Sequence, residues 1–162
     1  MAKVVTHFDD VDSLAGQKIG TSDWQEVTQE RINTFAEATG DFQWIHVDPK
    51  RAQAEFQAGT TIAHGYLTLS LLPMLMQQIL QIDGVGNGIN YGSNKIRFTN
   101  QVPTGSRVRA HQTLKSVKPR ADGSKQLTYE VQVEVEGQER PALVAETLGL
   151  IYPGEGYKLS QD

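Results

Sequence analysis

The positions of apolar and polar residues along the first third of the chain predict two helices. Between residues 28 and 39, apolar or small residues recur at the spacing of one helical face, at Ile32, Phe35, Ala36 and Thr39. Thr28 can cap the start of this helix, and Gly40 stands where helices commonly end. Asp48 followed by Pro49 is a typical helix start, so we expect a second, short helix that reaches about Phe56.

The segment over residues 65–82 is apolar on almost every side of a helix, which is the pattern of a buried helix. Pro73 removes a backbone donor and crowds the carbonyl of Leu69, so we expect a bend there. Thr68, Ser70 and several glutamines interrupt the apolar run. We therefore predict that it does not span a membrane.

After Asp83 the period of the pattern changes to two, which is the period of strands. Residues 127–135 alternate apolar with polar side chains, which predicts a strand with one dry and one solvated face. We expect partner strands at about 89–98, 107–117 and 143–152, and a shorter strand at 22–27. The apolar face of the sheet and the apolar surface of the helix must both be buried, and each can bury the other. We therefore predict an α+β fold in which one antiparallel sheet curls around one long helix.

The size and charge of the chain restrict its class further. Its 162 residues suffice for one ordinary domain, which we place over 1–162 with a core at about 22–152 and a polar tail at 154–162. The net charge of −4 gives no basic surplus of the kind that nucleic-acid binders carry, so we expect no nucleic-acid partner. The first residues lack the apolar core of a signal peptide, and we expect a soluble, cytoplasmic protein.

The lack of cysteine removes several kinds of chemistry. It excludes a disulfide scaffold, a thiolate zinc site, an iron–sulfur cluster and a cysteine nucleophile. His7 and His111 are isolated in the sequence, and no spacing of ligand residues suggests a metal. We therefore expect a site with no metal and no cofactor, built from carboxylate, imidazole and backbone N–H groups.

A candidate acid–base pair lies in the loop after the first helix. Asp41 and His46 are five residues apart between the two predicted helices, and such a loop can turn both side chains toward one point. Together they could hold one water molecule for general acid–base catalysis. From the spacing alone, a structural role is the commoner interpretation, with Asp41 capping backbone groups and His46 buried with its hydrogen bonds satisfied.

A second candidate group stands directly before the apolar helix, at Ala63, His64 and Gly65. The first N–H groups of a helix have no internal partners and carry partial positive charge. The Gly65 N–H could hold the oxygen of a thioester as that oxygen gains enolate character. The alternative, equally favoured by the residues alone, is that Gly65 only permits tight packing of the helix start.

Four motifs follow one another in the chain, at residues 38–49 (ATGDFQWIHVDP), 63–65 (AHG), 95–98 (KIRF) and 102–105 (VPTG). In this the chain resembles the MaoC-like dehydratases, which include the (R)-specific enoyl-CoA hydratases and the NodN-like proteins. The resemblance covers about residues 22–152. It implies the hot-dog fold, a curved antiparallel sheet wrapped around one long central helix, and a homodimer with the thioester tunnel near the subunit interface.

The resemblance also implies a reaction and a role for each matching residue. The reaction is reversible syn addition of water to a trans-2-enoyl thioester of coenzyme A or an acyl carrier protein, which gives a (3R)-hydroxyacyl thioester. Asp41 and His46 would activate the water and move protons to and from carbon 2. The Gly65 N–H would hold the thioester oxygen, with His64 beside it as a further candidate for substrate contact.

Other candidate substrate contacts follow from two positions that depart from the family motif and from the charged residues of a predicted strand. Gln43 and Trp44 stand where the family commonly has Asn-Pro, and we expect them to reshape the substrate pocket. Lys95 and Arg97 are candidates for binding the phosphates of coenzyme A, although such residues more often form a solvated face. Asn94 is a polar candidate for the pocket.

Two other functions remain as alternatives to the hydratase. One is a non-catalytic hot-dog protein that binds acyl thioesters or serves as a partner subunit, which the Gln43-Trp44 departure suggests. The other is a hot-dog thioesterase, which the spacing of Asp41 and His46 favours less.

Overall fold

The computed structural model describes residues 2–154, and its framework is an antiparallel sheet. The strands are β1 (Val4–His7), β2 (Gln17–Thr21), β3 (Gln25–Glu26), β4 (Leu80–Asp83), β5 (Val85–Phe98), β6 (Arg107–Pro119), β7 (Lys125–Val135) and β8 (Leu143–Pro153). The main sheet has the order β2-β6-β7-β8-β5, with β3 also paired to β6. Apart from Gly154, the predicted polar tail lies outside the described residues.

The helices precede the long strands and pack against one face of the sheet. They are α1 (Gln29–Thr39), α2 (Trp44–Val47), α3 (Pro49–Glu55), α4 (Gly65–Ser70) and α5 (Leu72–Gln77). The core forms where the helices meet the dry face of the sheet, as in the cluster that joins Leu67 and Leu75 to Val108 and Val133. Bulges at three places in the β5–β8 pair bend the strands. The predicted α+β arrangement is confirmed.

The helix ends in the first third of the chain follow local chemistry, as predicted. The Thr28 side chain accepts a hydrogen bond from the Arg31 N–H at the start of α1. Gly40 ends this helix in the left-handed conformation, at φ 77°, which glycine adopts without strain. The Asp48 carboxylate caps α3 by accepting from the backbone N–H of Arg51 at 3.0 Å.

The central helical segment is shorter than the sequence pattern predicts. Instead of one bent helix over 65–82, α4 and α5 meet at Leu71, and the chain turns into strand β4. Pro73 explains the break, because it cannot donate a helical hydrogen bond to Leu69. The extension to Ile82 was wrong because β4 pairs in parallel with β1, and that pairing satisfies its backbone groups in extended form.

Other element boundaries also differ from the prediction. The strand expected over 22–27 is only the two residues of β3, because residues 22–24 lie outside the strands, although Ser22 still bonds Ala110 of β6. β1 and β2 were missed because each has few apolar positions and forms only by pairing with a distant segment. β5 begins at Val85 instead of Ile89. Within residues 2–154, no helix is long and apolar enough to cross a membrane.

The anchoring of α1 can be tested at Ile32, which is fully buried in the main core cluster. We expect Ile32→Ala to lower the free energy of unfolding by about 2–5 kcal/mol, because the substitution leaves a cavity under α1. Urea denaturation measures the change. Glu37→Ala, on the exposed face of the same helix, is the matched control and should change it by less than about 0.5 kcal/mol. Equal losses in the two variants would contradict this packing of α1.

Candidate active site

The chain between α1 and α4 brings one acidic and two imidazole side chains together. Gly40 turns the chain out of α1, Asp41 follows it, and the single turn of α2 carries His46. His64 arrives from the segment that leads into α4. One side-chain nitrogen or oxygen from each of Asp41, His46 and His64 lies within 4.8 Å of the others. The convergence of Asp41 and His46 is the one that the sequence suggested.

His46 is buried and held in one orientation. Its Nδ1 lies 2.7 Å from the carbonyl oxygen of Ile62, an acceptor, so Nδ1 carries the proton and Nε2 keeps its lone pair. Burial is the main cause that lowers the pKa of His46 below the usual 6.5, and the neighbouring His64 lowers it further. The Ile62 hydrogen bond and Asp41 act in the opposite direction on this pKa. His46 is therefore neutral near pH 7 and able to accept a proton at Nε2.

His64 supports the other two residues. Its ring stacks on that of His46, with centroids 3.9 Å apart and an angle of 27° between the planes. Its Nε2–H donates to the backbone carbonyl of Asp41 at 3.0 Å, which fixes the start of the loop. Its Nδ1 is buried and has no hydrogen-bond partner among the described residues. His64 is thus buried in contact with both the His46 ring and the Asp41 backbone.

Asp41 is the exposed member of the group. About half of its side chain is exposed, and Oδ1 accepts a hydrogen bond from the Gln43 N–H at 3.3 Å. Its Oδ2 lies 4.0 Å from the His64 Nε2. The separations among the three residues are short enough for one water molecule to bond a carboxylate oxygen and an imidazole nitrogen at once.

The same three residues could be considered as metal ligands, a juxtaposition that sequence spacing did not reveal. In this arrangement the His64 Nε2 and the His46 Nδ1 both carry protons that they donate to carbonyl oxygens. A metal needs a lone pair at the ligating nitrogen, and His46 offers only Nε2. The His46 Nε2 is therefore the one nitrogen of this imidazole that is open to a proton or to a metal.

Gly65 lies at the wall of the adjoining cavity. This cavity of about 400 Å³ is lined by His46, Gly65, Thr68 and Phe98, among others. Gly65 is the first residue of α4, so its N–H has no partner within the helix. A Cβ at this position would lie 2.9 Å from Cγ of Phe98, so the close approach of the Phe98 ring requires glycine. Both interpretations of Gly65 are compatible with this geometry.

A polar cluster beneath α2 was missed by sequence reasoning. The Gln29 amide donates to the carbonyl oxygen of His46 at 2.7 Å, and its own oxygen accepts from Thr61 at 2.5 Å. Thr104 bonds both the Thr61 hydroxyl and the Gln29 amide oxygen. These residues are far apart in the chain and have no shared motif, so the only signal was the VPTG segment that contains Thr104.

The remaining predicted contacts are not brought into the cavity of this chain. Trp44 packs edge-on against Phe56 and under the guanidinium of Arg51, 4.3 Å from the ring centroid. Gln43 precedes α2 and is exposed. Asn94, Lys95 and Arg97 are exposed on β5, where the Asn94 amide donates to Glu146 at 2.6 Å.

A second cavity, of about 450 Å³, lies at the other end of the central helical segment. Its walls are mainly apolar and include Leu69, Leu72, Pro73, Met76, Leu80, Ile82, Val85, Leu148 and Ile151. Along β5, this cavity borders the end near Val85, whereas the cavity with His46 borders the end near Phe98.

Comparison with known families identifies the domain. Residues 10–137, well over half of the chain, match the MaoC like domain. The chain belongs to this family. The motif-based resemblance to the MaoC-like dehydratases, and with it the class of hydro-lyase enzymes, is confirmed.

Relatives of this MaoC-like chain cover almost its whole length. It is 54% identical over 139 residues to 3-hydroxyacyl-thioester dehydratase Z of Mycobacterium tuberculosis (strain ATCC 25618 / H37Rv), which covers 86% of this chain and 91% of that protein. It is 46% identical over 143 residues to nodulation protein N of Rhizobium leguminosarum bv. viciae, with 88% and 89% covered. The solved (R)-hydratase from A. caviae matches with a TM-score of 0.65 at 23% identity, over 83% of this chain and 96% of that one. The predicted hot-dog fold is confirmed by this likeness.

The depressed pKa of His46 predicts how stability depends on pH. The folded protein binds fewer protons at this residue than the unfolded chain, so stability rises with pH. We expect the free energy of unfolding to fall once the pH drops below 6.5, and to level off below the folded pKa. Urea denaturation between about pH 7.5 and pH 5 measures the loss. His46→Gln should show a smaller loss, and equal losses in the two proteins would refute the burial of a neutral His46.

Proposed function

We propose that the protein hydrates trans-2-enoyl thioesters reversibly to (3R)-hydroxyacyl thioesters, with Asp41 and His46 as the catalytic residues. One observation carries the proposal. A buried, neutral His46 with a free Nε2 lies close to the exposed Asp41 carboxylate and lines one cavity with Gly65, the N-terminal residue of a helix. The 54% identical relative, which is named as a 3-hydroxyacyl-thioester dehydratase, supports the same reaction.

The reaction requires one proton acceptor, one proton donor and a place for transient negative charge. Asp41 and His46 hold the water, and its oxygen bonds to carbon 3 while the pair takes its proton. The electrons of the double bond move toward the thioester oxygen, where the Gly65 N–H stabilises the enolate. A proton from the same pair then reaches carbon 2, which regenerates both groups. Dehydration follows the same steps in reverse.

The residues that contact His46 and Asp41 hold them in positions that fit these roles. The Gln29 amide and the Ile62 carbonyl hold His46 by its backbone and its Nδ1, so the Nε2 is fixed in direction. A catalytic group held in this way loses little free energy to reorganisation during the reaction. We infer that His64 is a positioning residue, because it contacts His46 and Asp41 and does not line the cavity with His46.

We also propose that the protein works as a homodimer joined through β5. This strand has 14 residues and lies at the edge of the main sheet. It exposes Ile89, Tyr91 and Phe98, of which Ile89 and Tyr91 are about half exposed. A long edge strand with apolar side chains offers a surface for pairing with a second copy, and two-fold pairing is the commonest form of assembly.

Antiparallel pairing of β5 with its copy would bring the two kinds of cavity together, so that one substrate could occupy both. The pairing reverses the strand, so the Phe98 end of one protomer lies beside the Val85 end of the other. The cavity with His46 then adjoins the apolar cavity of the partner. We infer that the thioester sits in the first cavity and the acyl chain extends into the second. The carrier, coenzyme A or an acyl carrier protein, stays outside.

The non-catalytic alternative rested on the Gln43-Trp44 departure. Trp44 packs on Phe56 and Arg51, and neither Gln43 nor Trp44 lines the cavity with His46. No observation in residues 2–154 therefore favours loss of catalysis at this site.

Substitution of the proposed catalytic pair tests the function directly. We expect Asp41→Asn and His46→Gln each to lower kcat for crotonyl-CoA hydration by about 10²–10⁴-fold, because each removes a general acid–base group. Loss of enoyl absorbance measures the rate. Asp10→Asn and His7→Gln make the same chemical changes at exposed sites and should keep the wild-type rate. Wild-type rates in the Asp41 and His46 variants would refute the assigned roles.

Sedimentation of the wild-type protein and one charge variant tests the dimer. We expect a species of twice 17.9 kDa at micromolar concentration, and a shift to the monomer in Ile89→Lys, since each protomer would then place a charge in the apolar surface that the pairing covers. Turnover should fall with the dimer fraction. Val5→Lys replaces an equally exposed apolar residue on β1 and should remain dimeric. An active wild-type monomer would contradict the shared site.

A further inference from the structure

The apolar cavity contains a polar group that its surroundings do not explain. The inward-facing positions of β6 read Val108, Ala110, Gln112 and Leu114, so an amide interrupts an apolar series. Gln112 is only 2% exposed, yet its Oε1 has no hydrogen-bond partner within residues 2–154. A buried amide left without a partner is destabilising, and native structures rarely retain one unless it serves a purpose.

A phenol stands close to this amide on the neighbouring strand. Tyr129 is opposite Leu114 and Gln112 is opposite Val131, so Gln112 and Tyr129 are diagonal neighbours on the inner face of the β6–β7 pair. Both line the apolar cavity. Burial raises the pKa of the Tyr129 phenol well above its usual value of 10.0, so the hydroxyl keeps its proton and can both donate and accept.

The remaining walls do not match a purely polar ligand. Aliphatic side chains of α4, α5, β4 and β8 form much of the wall, as at Leu72, Met76 and Ile151, and the other polar lining residues are Ser70, Gln77, Asn90, Ser93 and Thr147. The volume of about 450 Å³ lies in the range of small-molecule sites. A plain alkyl chain would fill this space but leave the Gln112 amide unpaired, whereas a chain with an oxygen at the right depth would pair it.

We propose that Gln112 and Tyr129 select acyl thioesters whose acyl chain carries a hydroxyl or keto oxygen remote from the thioester. This inference rests on the proposed function, because it takes the cavity to be the acyl site. Gln112 and Tyr129 are specificity residues: they bond the distal oxygen, and Asp41 and His46 act on the other end of the substrate. A site built to bond a hydroxyl rejects the analogue that lacks it, because its own buried groups are then left unpaired.

Binding of matched ligands tests the proposal without requiring turnover. Calorimetry would compare hexanoyl-, octanoyl- and decanoyl-CoA with their ω-hydroxy counterparts on the wild-type protein. We expect the hydroxylated ligand to bind about tenfold more tightly at one or more of these lengths, since it pairs the buried amide. Equal or tighter binding of the plain chain at all three lengths would overturn the proposal.

Variants separate a ligand-binding amide from a structural one. Gln112→Leu should lose or reverse the preference for the hydroxylated chain, and Tyr129→Phe, which keeps the aromatic packing, should reduce it. The thermal midpoint of unliganded Gln112→Leu should equal or exceed that of the wild type, because the buried Oε1 has no partner to lose. A lower midpoint, or an unchanged preference in both variants, would contradict the proposal. Gln132→Leu makes the same change at an exposed position of β7 and should keep the wild-type preference.

Hydration of crotonyl-CoA by the wild-type protein distinguishes this inference from the proposed function. If crotonyl-CoA is hydrated but no hydroxylated ligand is preferred, the proposed function is supported and the role of Gln112 and Tyr129 as specificity residues is refuted. If hydroxylated ligands are preferred but no enoyl-CoA is hydrated, the cavity selects the proposed acyl groups and the catalytic assignment falls.

Discussion

The pairing of the short segment around Ile62 with α2 is the contact on which the site depends. The Ile62 carbonyl accepts from the His46 Nδ1 at 2.7 Å, and its N–H donates to the Ile45 carbonyl at 3.1 Å. On its other side the segment joins the 102–104 stretch, where Ala63 N–H donates to Val102 and Thr104 N–H to Thr61. Extended backbone in the middle thus fixes the catalytic imidazole, the start of α4 and the entry to β6 relative to one another. Apart from the bond of the His46 Nδ1, these hydrogen bonds join backbone groups, so the position of the imidazole is tied directly to the fold.

The site also depends on the close packing of two aromatic rings, those of His64 and Phe98. His64 stacks on His46 and binds the Asp41 carbonyl, so one buried imidazole sets the distance between the two proposed catalytic groups. Phe98 of β5 reaches Gly65 so closely that a side chain there would clash. Since β5 is also the exposed edge strand, the proposed oxyanion position is coupled to the surface at which we expect a second protomer. Completion of the site and assembly of the dimer would then be one event.

What the sequence could predict is what local chemistry determines. The caps of α1 and α3 depend on residues a few positions apart, and the alternation in β7 reports a half-buried strand directly. The closeness of Asp41 and His46 could be predicted because the two residues are only five positions apart in one motif. The bond from Gln29 to His46 and the parallel pairing of β1 with β4 join segments that are distant in the sequence. No local sequence pattern could therefore predict them.

The central claim is that one carboxylate and one neutral imidazole share a water molecule and deliver it to one face of an enoyl thioester. Chiral analysis of the product that the wild-type protein forms from crotonyl-CoA tests this claim most directly. We expect (3R)-hydroxybutyryl-CoA as the sole product, with the thioester bond intact. Formation of the (3S) product, release of free coenzyme A, or no conversion at all would contradict it.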